Sequence, residues 1–284
     1  MRAMADQRPA ERDLAVAPPA ADRRFKIRLE QVSQSFEARG KVTEVLQAVD
    51  LSVREREFVA IVGPSGCGKT TVLNAVAGLL RPTGGTVTYD GRQVTSLNRR
   101  IGYLSQKDTL LPWRNAADNV RIALELKCRP TSRGAATAKV QAMMDLVGLN
   151  GFERHYPAEL SGGMRKRVAL ARTLIYEPET LLLDEPFGAL DAQLRLIMLD
   201  QLQTLTQLRR ITVLFVTHDL GEAIALADRV VVFSARPGRI RVVREVPLPR
   251  PRDVFKIRFD PRFSRLHEEL WDELKGDLAK GTDM

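Results

Sequence analysis

Residues 63–71 read GPSGCGKTT, with three glycines, a lysine and two threonines between the apolar runs FVAIV and VLNAVAGLL. The spacing G-x-x-x-x-G-K-[ST] suits phosphate binding when a strand precedes it and a helix follows. A loop poor in side chains lets several backbone N–H groups point at one anion, and the positive end of the next helix adds to the attraction. Gly63, Pro64, Ser65, Gly66, Cys67 and Gly68 would form that loop, with Thr71 just behind it. Lys69 would reach the β- and γ-phosphates, and the Thr70 hydroxyl would be a ligand of Mg²⁺. The competing reading is a plain glycine turn with an exposed lysine.

Such a site needs an acidic strand end nearby, because Mg²⁺ takes oxygen ligands and keeps several waters. The run LLLDEP provides one. Its three leucines read as a buried strand, Asp184 at the end can orient the metal's waters, and Glu185 can take a proton from an attacking water. Read alone, the same six residues could be a strand followed by two solvated acids at a turn. Together the two motifs argue for a nucleotide hydrolase.

These residues have to be held by strands and helices, and the pattern along the chain provides both. Up to about residue 91 it reads as short strands, KIRLEQVSQSF, VLQAVDLSV, FVAIVG and GGTVTYDG, with one helix, TTVLNAVAGLL, after the glycine loop. Val72, Leu73, Val76, Leu79 and Leu80 would form that helix's core face. Residues 110–176 turn helical, in DNVRIALELK, ATAKVQAMMDLVGL and GGMRKRVALARTLIY, with CRPTSRGA as an exposed connection. There follow the strand TLLLDEP, the helix AQLRLIMLDQLQTLTQLRR, the strand ITVLFVTHD, the short helix EAIALAD and the strand RVVVFS. Apolar strands alternating with helices predict a largely parallel sheet covered on both faces. The chain closes with the proline-rich VPLPRPRD and an amphipathic helix at about 261–280.

Composition sets wider limits. The 284 residues, 44% of them hydrophobic, can bury a full core, and 44 Lys and Arg against 35 Asp and Glu give a net charge of +9. That excess suits nucleic acid, an anionic membrane surface or an anionic ligand equally. The two cysteines, Cys67 and Cys128, have no metal-ligand spacing and form no secreted disulfide framework. Cys67 reads as a packing or spacer residue whose thiol pKa the helix N-terminus would lower. Residues 1–24 mix charge with Pro and Ala and read as a disordered tail rather than a signal peptide. No apolar run is long enough to cross a bilayer, so another chain would hold this one at a membrane.

The stretch LSGGMRKRVALARTL at 160–174 resembles the signature of the ATP-binding cassette (ABC) family. Ser161, Gly162 and Gly163 would open a second helix N-terminus that can meet phosphate. The resemblance implies an α/β fold, a P-loop NTPase cassette with a mainly parallel core sheet, an N-terminal antiparallel β subdomain and an inserted α-helical subdomain. It also implies that two subunits pair head to tail, each signature closing over ATP held by the other. By the same likeness Phe36 would stack on adenine, and Gln106 would sense Mg²⁺ and the γ-phosphate. Asp191 would couple the two sites, and His218 would touch the γ-phosphate. His155 and His267 read as surface residues. Met164 stands in place of the usual glutamine of the signature, and Lys166 where a glutamine is frequent. The expected organisation is the tail over 1–24, an ATPase domain over 25–246 with its helical subdomain at about 107–176, and a C-terminal segment over 247–284.

QKDTLLPWRNAADNV and SARPGRI resemble the nitrate, sulfonate and taurine importer group, as does DPRFSRLHEELWDEL. The implied protein is the ATPase subunit of an importer for a small anion such as nitrate, a sulfonate or taurine, peripheral on the cytoplasmic face of a bacterial-type inner membrane. Its partners would be a second copy of itself, membrane permease subunits and, indirectly, an external substrate-binding protein, with no nucleic acid. Leu110, Leu111, Pro112 and Trp113 would dock a permease helix or else cap the helical subdomain. A soluble cassette ATPase working on nucleic acid or ribosomes is the alternative that the +9 charge suggests. A P-loop kinase would leave LSGGM and His218 unexplained. Neither the pattern nor the likeness identifies the transported molecule.

Overall fold

The computed structural model describes residues 25–278 apart from 39, 108, 127–131 and 189. The expected tail over 1–24, Cys128 and much of the CRPTSRGA connection lie outside those residues. Along the chain run β1 (Phe25–Ala38), β2 (Lys41–Arg54), β3 (Phe58–Val62), α1 (Lys69–Ala77), β4 (Gly84–Tyr89), β5 (Arg92–Gln93) and β6 (Ile101–Leu104). Three helices follow, α2 (Ala116–Glu125), α3 (Arg133–Leu146) and α4 (Gly162–Leu174). The remainder is β7 (Thr180–Asp184), α5 (Ala192–Leu208), β8 (Thr212–Val216), α6 (Leu220–Leu226), β9 (Arg229–Phe233), β10 (Ile240–Glu245) and α7 (Pro261–Leu278).

Among the described residues the strands form two sheets. One is antiparallel, in the order β2-β1-β4-β5; the other runs β10-β9-β3-β8-β7-β6. In the second sheet β9, β3, β8, β7 and β6 are parallel and β10 lies antiparallel on the edge. Every residue of β3, β7 and β8 is buried, which is why their sequences are continuous apolar runs. Successive side chains leave opposite faces of a strand. Phe58, Ala60 and Val62 therefore enter one core with α4, α5 and α6, while Val59 and Ile61 enter another with α1 and the antiparallel sheet.

The short β6 and the edge strand β10 were not among the strands expected from the pattern. Only four residues make β6, and β10 alternates half-buried with exposed positions. The helix after the glycine loop also ends earlier than expected, at Ala77. Gly78 closes it with a left-handed φ of +74°, where a Cβ would lie 2.1 Å from the Ser96 carbonyl oxygen. Leu79, expected on the core face, falls beyond the helix and is 58% exposed.

Strand order is what serves the site. Because β6, β7, β8 and β3 are parallel neighbours, their C-terminal ends all open on one edge of the sheet. Those ends carry Gln106, Asp184 with Glu185, His218, and the glycine loop.

The C-terminal segment packs onto this same body. Phe263, Leu266 and Leu270 of α7 join the core that holds Ile224 and Leu226 of α6. Arg252 is buried, and its guanidinium donates to the carbonyls of Ile224, Ala225, Ala227, Val246 and Leu248. Three of those carbonyls lie at the C-terminal end of α6, where helix carbonyls lack intrahelical donors. Burial, with Arg250 nearby, pushes the Arg252 pKa down to about 10, so it remains a cation at neutral pH. Arg252→Met keeps the bulk and removes the donors, and is expected to cost about 3 kcal/mol. A urea midpoint lowered at constant slope would show it; an unchanged midpoint would mean the clasp is idle.

Candidate active site

The glycine loop leaves β3 at Val62 and enters α1 at Lys69. Gly68 caps the helix with φ +102°, and a Cβ there would lie 2.5 Å from Leu46 Cδ2, so glycine is required on steric grounds as well. Lys69 is buried, and its ammonium donates to the carbonyls of Gly63 (2.7 Å) and Pro64 (2.8 Å). That position keeps its charge over the loop. The thiol of Cys67 departs from expectation, since it is buried and burial pushes its pKa up, the charge of Lys69 opposing this only in part. A helix N-terminus does not compensate a thiol that lost its water.

Thr70 and Asp184 meet across the strands, the hydroxyl donating to Asp184 Oδ2 at 2.8 Å. Asp184 ends β7 almost wholly out of solvent, and burial raises its pKa while the Thr70 bond and the Lys69 charge act the other way. A hydroxyl and a carboxylate side by side are the oxygen donors that Mg²⁺ accepts, so the donor set fits that ion. Glu185 turns off the strand with φ +46°, while its N–H donates to the Val216 carbonyl at 2.9 Å. A non-glycine residue held there costs about 1–3 kcal/mol, a strain typical of functional positions. The turn directs its carboxylate between two side chains, with Gln106 Nε2 donating to Glu185 Oε2 at 3.2 Å and His218 Nδ1 lying 3.6 Å from the same oxygen.

A cleft of about 510 Å³ is bordered by Phe36, Lys69, Thr70, Gln106, Asp184 and Glu185, with His218 beside Glu185 but not on its wall. Phe36 is 43% exposed on its wall. Ser65, Gly66, Gly68 and Thr71 line the cleft as well.

The family model described as ABC transporter matches residues 46–188. The chain belongs to the ABC transporter family. It is 45% identical over 255 residues to an uncharacterized ABC transporter ATP-binding protein of Methanocaldococcus jannaschii, covering 90% of this chain and 95% of that one. It is 40% identical to the aliphatic sulfonates import ATP-binding protein SsuB of Bacillus cereus, over 80% of this chain and 88% of the relative. Among solved structures, a dimeric ATP-binding cassette in a post-hydrolysis state with ADP and Pi matches with a TM-score of 0.73 at 29% identity, over 78% of this chain and 100% of that one. The protein is thus an ABC-type ATPase with the cassette fold, its antiparallel sheet beside a mainly parallel one.

Not every expected site residue of the cassette gathers at the cleft. Ser161 and Asp191 do not border it. Each is an exposed N-cap, Ser161 Oγ accepting from the Met164 N–H (3.2 Å) at the start of α4 and Asp191 Oδ1 from the Leu194 N–H (2.9 Å) at the start of α5. Gly163 lies close to Leu190, where a Cβ would be 2.9 Å from Leu190 Cδ2, so the turn before Asp191 packs on the signature segment.

Thr43, Val45 and Arg236 border the cleft without having been picked out for it, and Lys166 reaches the site from α4. Arg236 borders the cleft, and its Nε (3.1 Å) and Nη2 (2.9 Å) both donate to the Gly66 carbonyl. The motif SARPGRI was the only signal for it. Lys166, seen in the sequence as a departure from the family pattern, is buried and reaches the loop of Gln106. His155 and His267 lie half-buried at the surface, His155 packed at 5.1 Å from the Phe152 ring and His267 stacked on Phe263, four residues earlier on α7.

Proposed function

We propose that this ATPase is the nucleotide-binding subunit of an importer for a small anion such as nitrate, an aliphatic sulfonate or taurine, working as a head-to-tail homodimer. The observation that carries the reading is the 40% identity with a sulfonate importer's ATP-binding protein over most of both chains. Dimeric assembly is supported by the solved dimeric cassettes it resembles and by the position of Ser161 outside its own cleft.

In this reading Phe36 stacks on adenine and the glycine loop takes the phosphates, with Lys69 neutralising their charge. Thr70 and Asp184, with Gln106, would hold Mg²⁺, which when bound supplies charge neutralisation at the phosphate oxygens. Glu185 accepts the proton of the attacking water, with Gln106 and His218 both against its Oε2, and His218 touches the γ-phosphate. Ser161, Gly162 and Gly163 of the second copy close over the γ-phosphate, and Asp191 links the two sites. Hydrolysis removes the bridge between the copies, and the dimer reopens.

The permease would dock at the apolar turn before α2. Asn119, fully buried, accepts from the Leu111 N–H (2.8 Å) and donates to the carbonyls of Leu111 (3.1 Å) and Arg114 (2.8 Å). The turn is thereby held firm, with Leu110 packed on the core and Trp113 71% exposed. An exposed indole on a rigid support is the kind of anchor an interface uses. No helix of the described residues is long and apolar enough to cross a membrane, so attachment at the cytoplasmic face would be peripheral, through the permease.

The test is affinity purification of tagged Glu185→Gln protein from detergent-solubilised membranes with ATP present, the attached chains being identified by mass spectrometry. A polytopic permease in near-equal amount is the expected result, and its identity would point to the substrate. Recovery of only soluble partners or nucleic acid would overturn the importer assignment in favour of a cassette working on nucleic acid or ribosomes.

A further inference from the structure

Lys166 lies on α4, five residues beyond the Ser161 cap, and is only 9% exposed. Its ammonium donates to the Ser105 carbonyl at 3.3 Å and to the Gln106 carbonyl. Both carbonyls belong to the loop that leaves β6 at Leu104, outside any helix or strand, with the Gln106 side chain itself exposed. The same Gln106 donates to the carboxylate of Glu185 at 3.2 Å. A continuous line of contacts therefore runs from the signature helix through Lys166 to the backbone of Gln106, and from its side chain to Glu185.

We propose that Lys166 is a positioning residue for ATP hydrolysis, a strut that fixes the Gln106 loop to the signature helix and thereby holds Gln106 against Glu185. The physical reason is the cost of burying an ammonium. A buried cation is heavily penalised when it loses its hydrogen bonds, so the carbonyls it binds are held far more firmly than a loop would hold them alone. Lysine also does here what the family's frequent glutamine cannot fully do, since an amide is neutral and its nitrogen sits one bond nearer the backbone. The added charge acts favourably on the buried Asp184 carboxylate as well. Movement of α4 when a partner copy engages Ser161 would pass directly to the group that orients Glu185. The inference rests on the reading of Gln106 and Glu185 given above.

A double-mutant cycle tests it, with kcat and KM for ATP measured on the full chain as wild type, Lys166→Met, Gln106→Ala and the double variant. Lys166→Met is expected to lower kcat about tenfold, the scale of a slightly misplaced catalytic group, with KM changed less than about twofold because the phosphate loop is untouched. The double variant should be no slower than Gln106→Ala alone, since the strut acts through Gln106. Lys166→Gln, with a shorter neutral donor, should fall between wild type and Lys166→Met. If Lys166→Met does not fold, the cycle is run with Lys166→Gln, whose smaller deficit must likewise vanish beside Gln106→Ala. Unchanged kcat in Lys166→Met, a loss expressed in KM alone, or losses that multiply in the double variant would each overturn the strut. Unchanged kcat in Gln106→Ala would overturn the reading of the site, and the strut with it.

Discussion

Glu185→Gln is expected to bind ATP with near-normal affinity, to lower turnover by roughly 10²- to 10⁴-fold, and to elute as a dimer when ATP is present. The substitution changes charge and basicity with almost no change of shape. Glutamine can keep the backbone bond to Val216 and the left-handed turn at φ +46°, so the fold is expected to hold. An amide cannot take the water's proton, which is the role given to a carboxylate flanked by Gln106 and His218. With ATP bound and uncleaved, the bridge between the two copies persists. Size-exclusion chromatography with ATP, beside a phosphate-release assay, reads both consequences. Normal turnover would remove Glu185 from the proton-acceptor role, and a monomer with ATP bound would count against the head-to-tail pair.

Lys69→Ala acts at an earlier step, and ATP binding is expected to weaken by roughly 10²-fold or more. Losing one partner of a buried, hydrogen-bonded charge pair costs about 2–5 kcal/mol in an interface, and a triphosphate is a more demanding partner than a carboxylate. The ammonium bonds the carbonyls of Gly63 and Pro64, so part of its value lies in being held in place over the loop. Lys69→Arg is not a safe replacement, because a planar fork does not fit where a point charge turns back over its own loop. Calorimetric titration with Mg²⁺-ATP measures the affinity, and a thermal melt shows whether the fold is intact. Affinity within a few-fold of wild type in a folded variant would reduce Lys69 to a structural brace of the loop. The two substitutions separate cleanly, one acting on binding and the other on turnover.

Much of the site was legible because its parts are local. GPSGCGKTT lies between an apolar run and a helical pattern, so its context as a strand-to-helix loop is readable locally, and LLLDEP carries its own buried strand and acidic end. The apolar runs that became β3, β7, β8 and β9 need burial on both faces, which a parallel sheet under helices provides. The misreadings are places where a distant neighbour decides. Gly78 stops α1 because the backbone at Ser96 leaves no room for a side chain, so Leu79 ends in solvent. Cys67 has a raised pKa because the fold buries it, whatever its position before a helix. The strand β6 is four residues long and owes its existence to pairing with β7, and β10 to pairing with β9.

Residue types and short spacings by themselves determined the local parts of this chain: a glycine loop between a strand and a helix, a buried strand with an acidic end, and a second capped helix N-terminus. They did so because backbone geometry, helix caps and burial periodicity act over a few residues. Only the tertiary structure decided that Gln106 and Glu185, 79 positions apart, share a hydrogen bond, that Thr70 and Asp184, 114 apart, share another, and that Lys166 reaches back 60 residues to the Gln106 loop. Those meetings follow from the order in which parallel strands pair, which depends on the free energy of the whole core and leaves no mark on any single stretch of the chain.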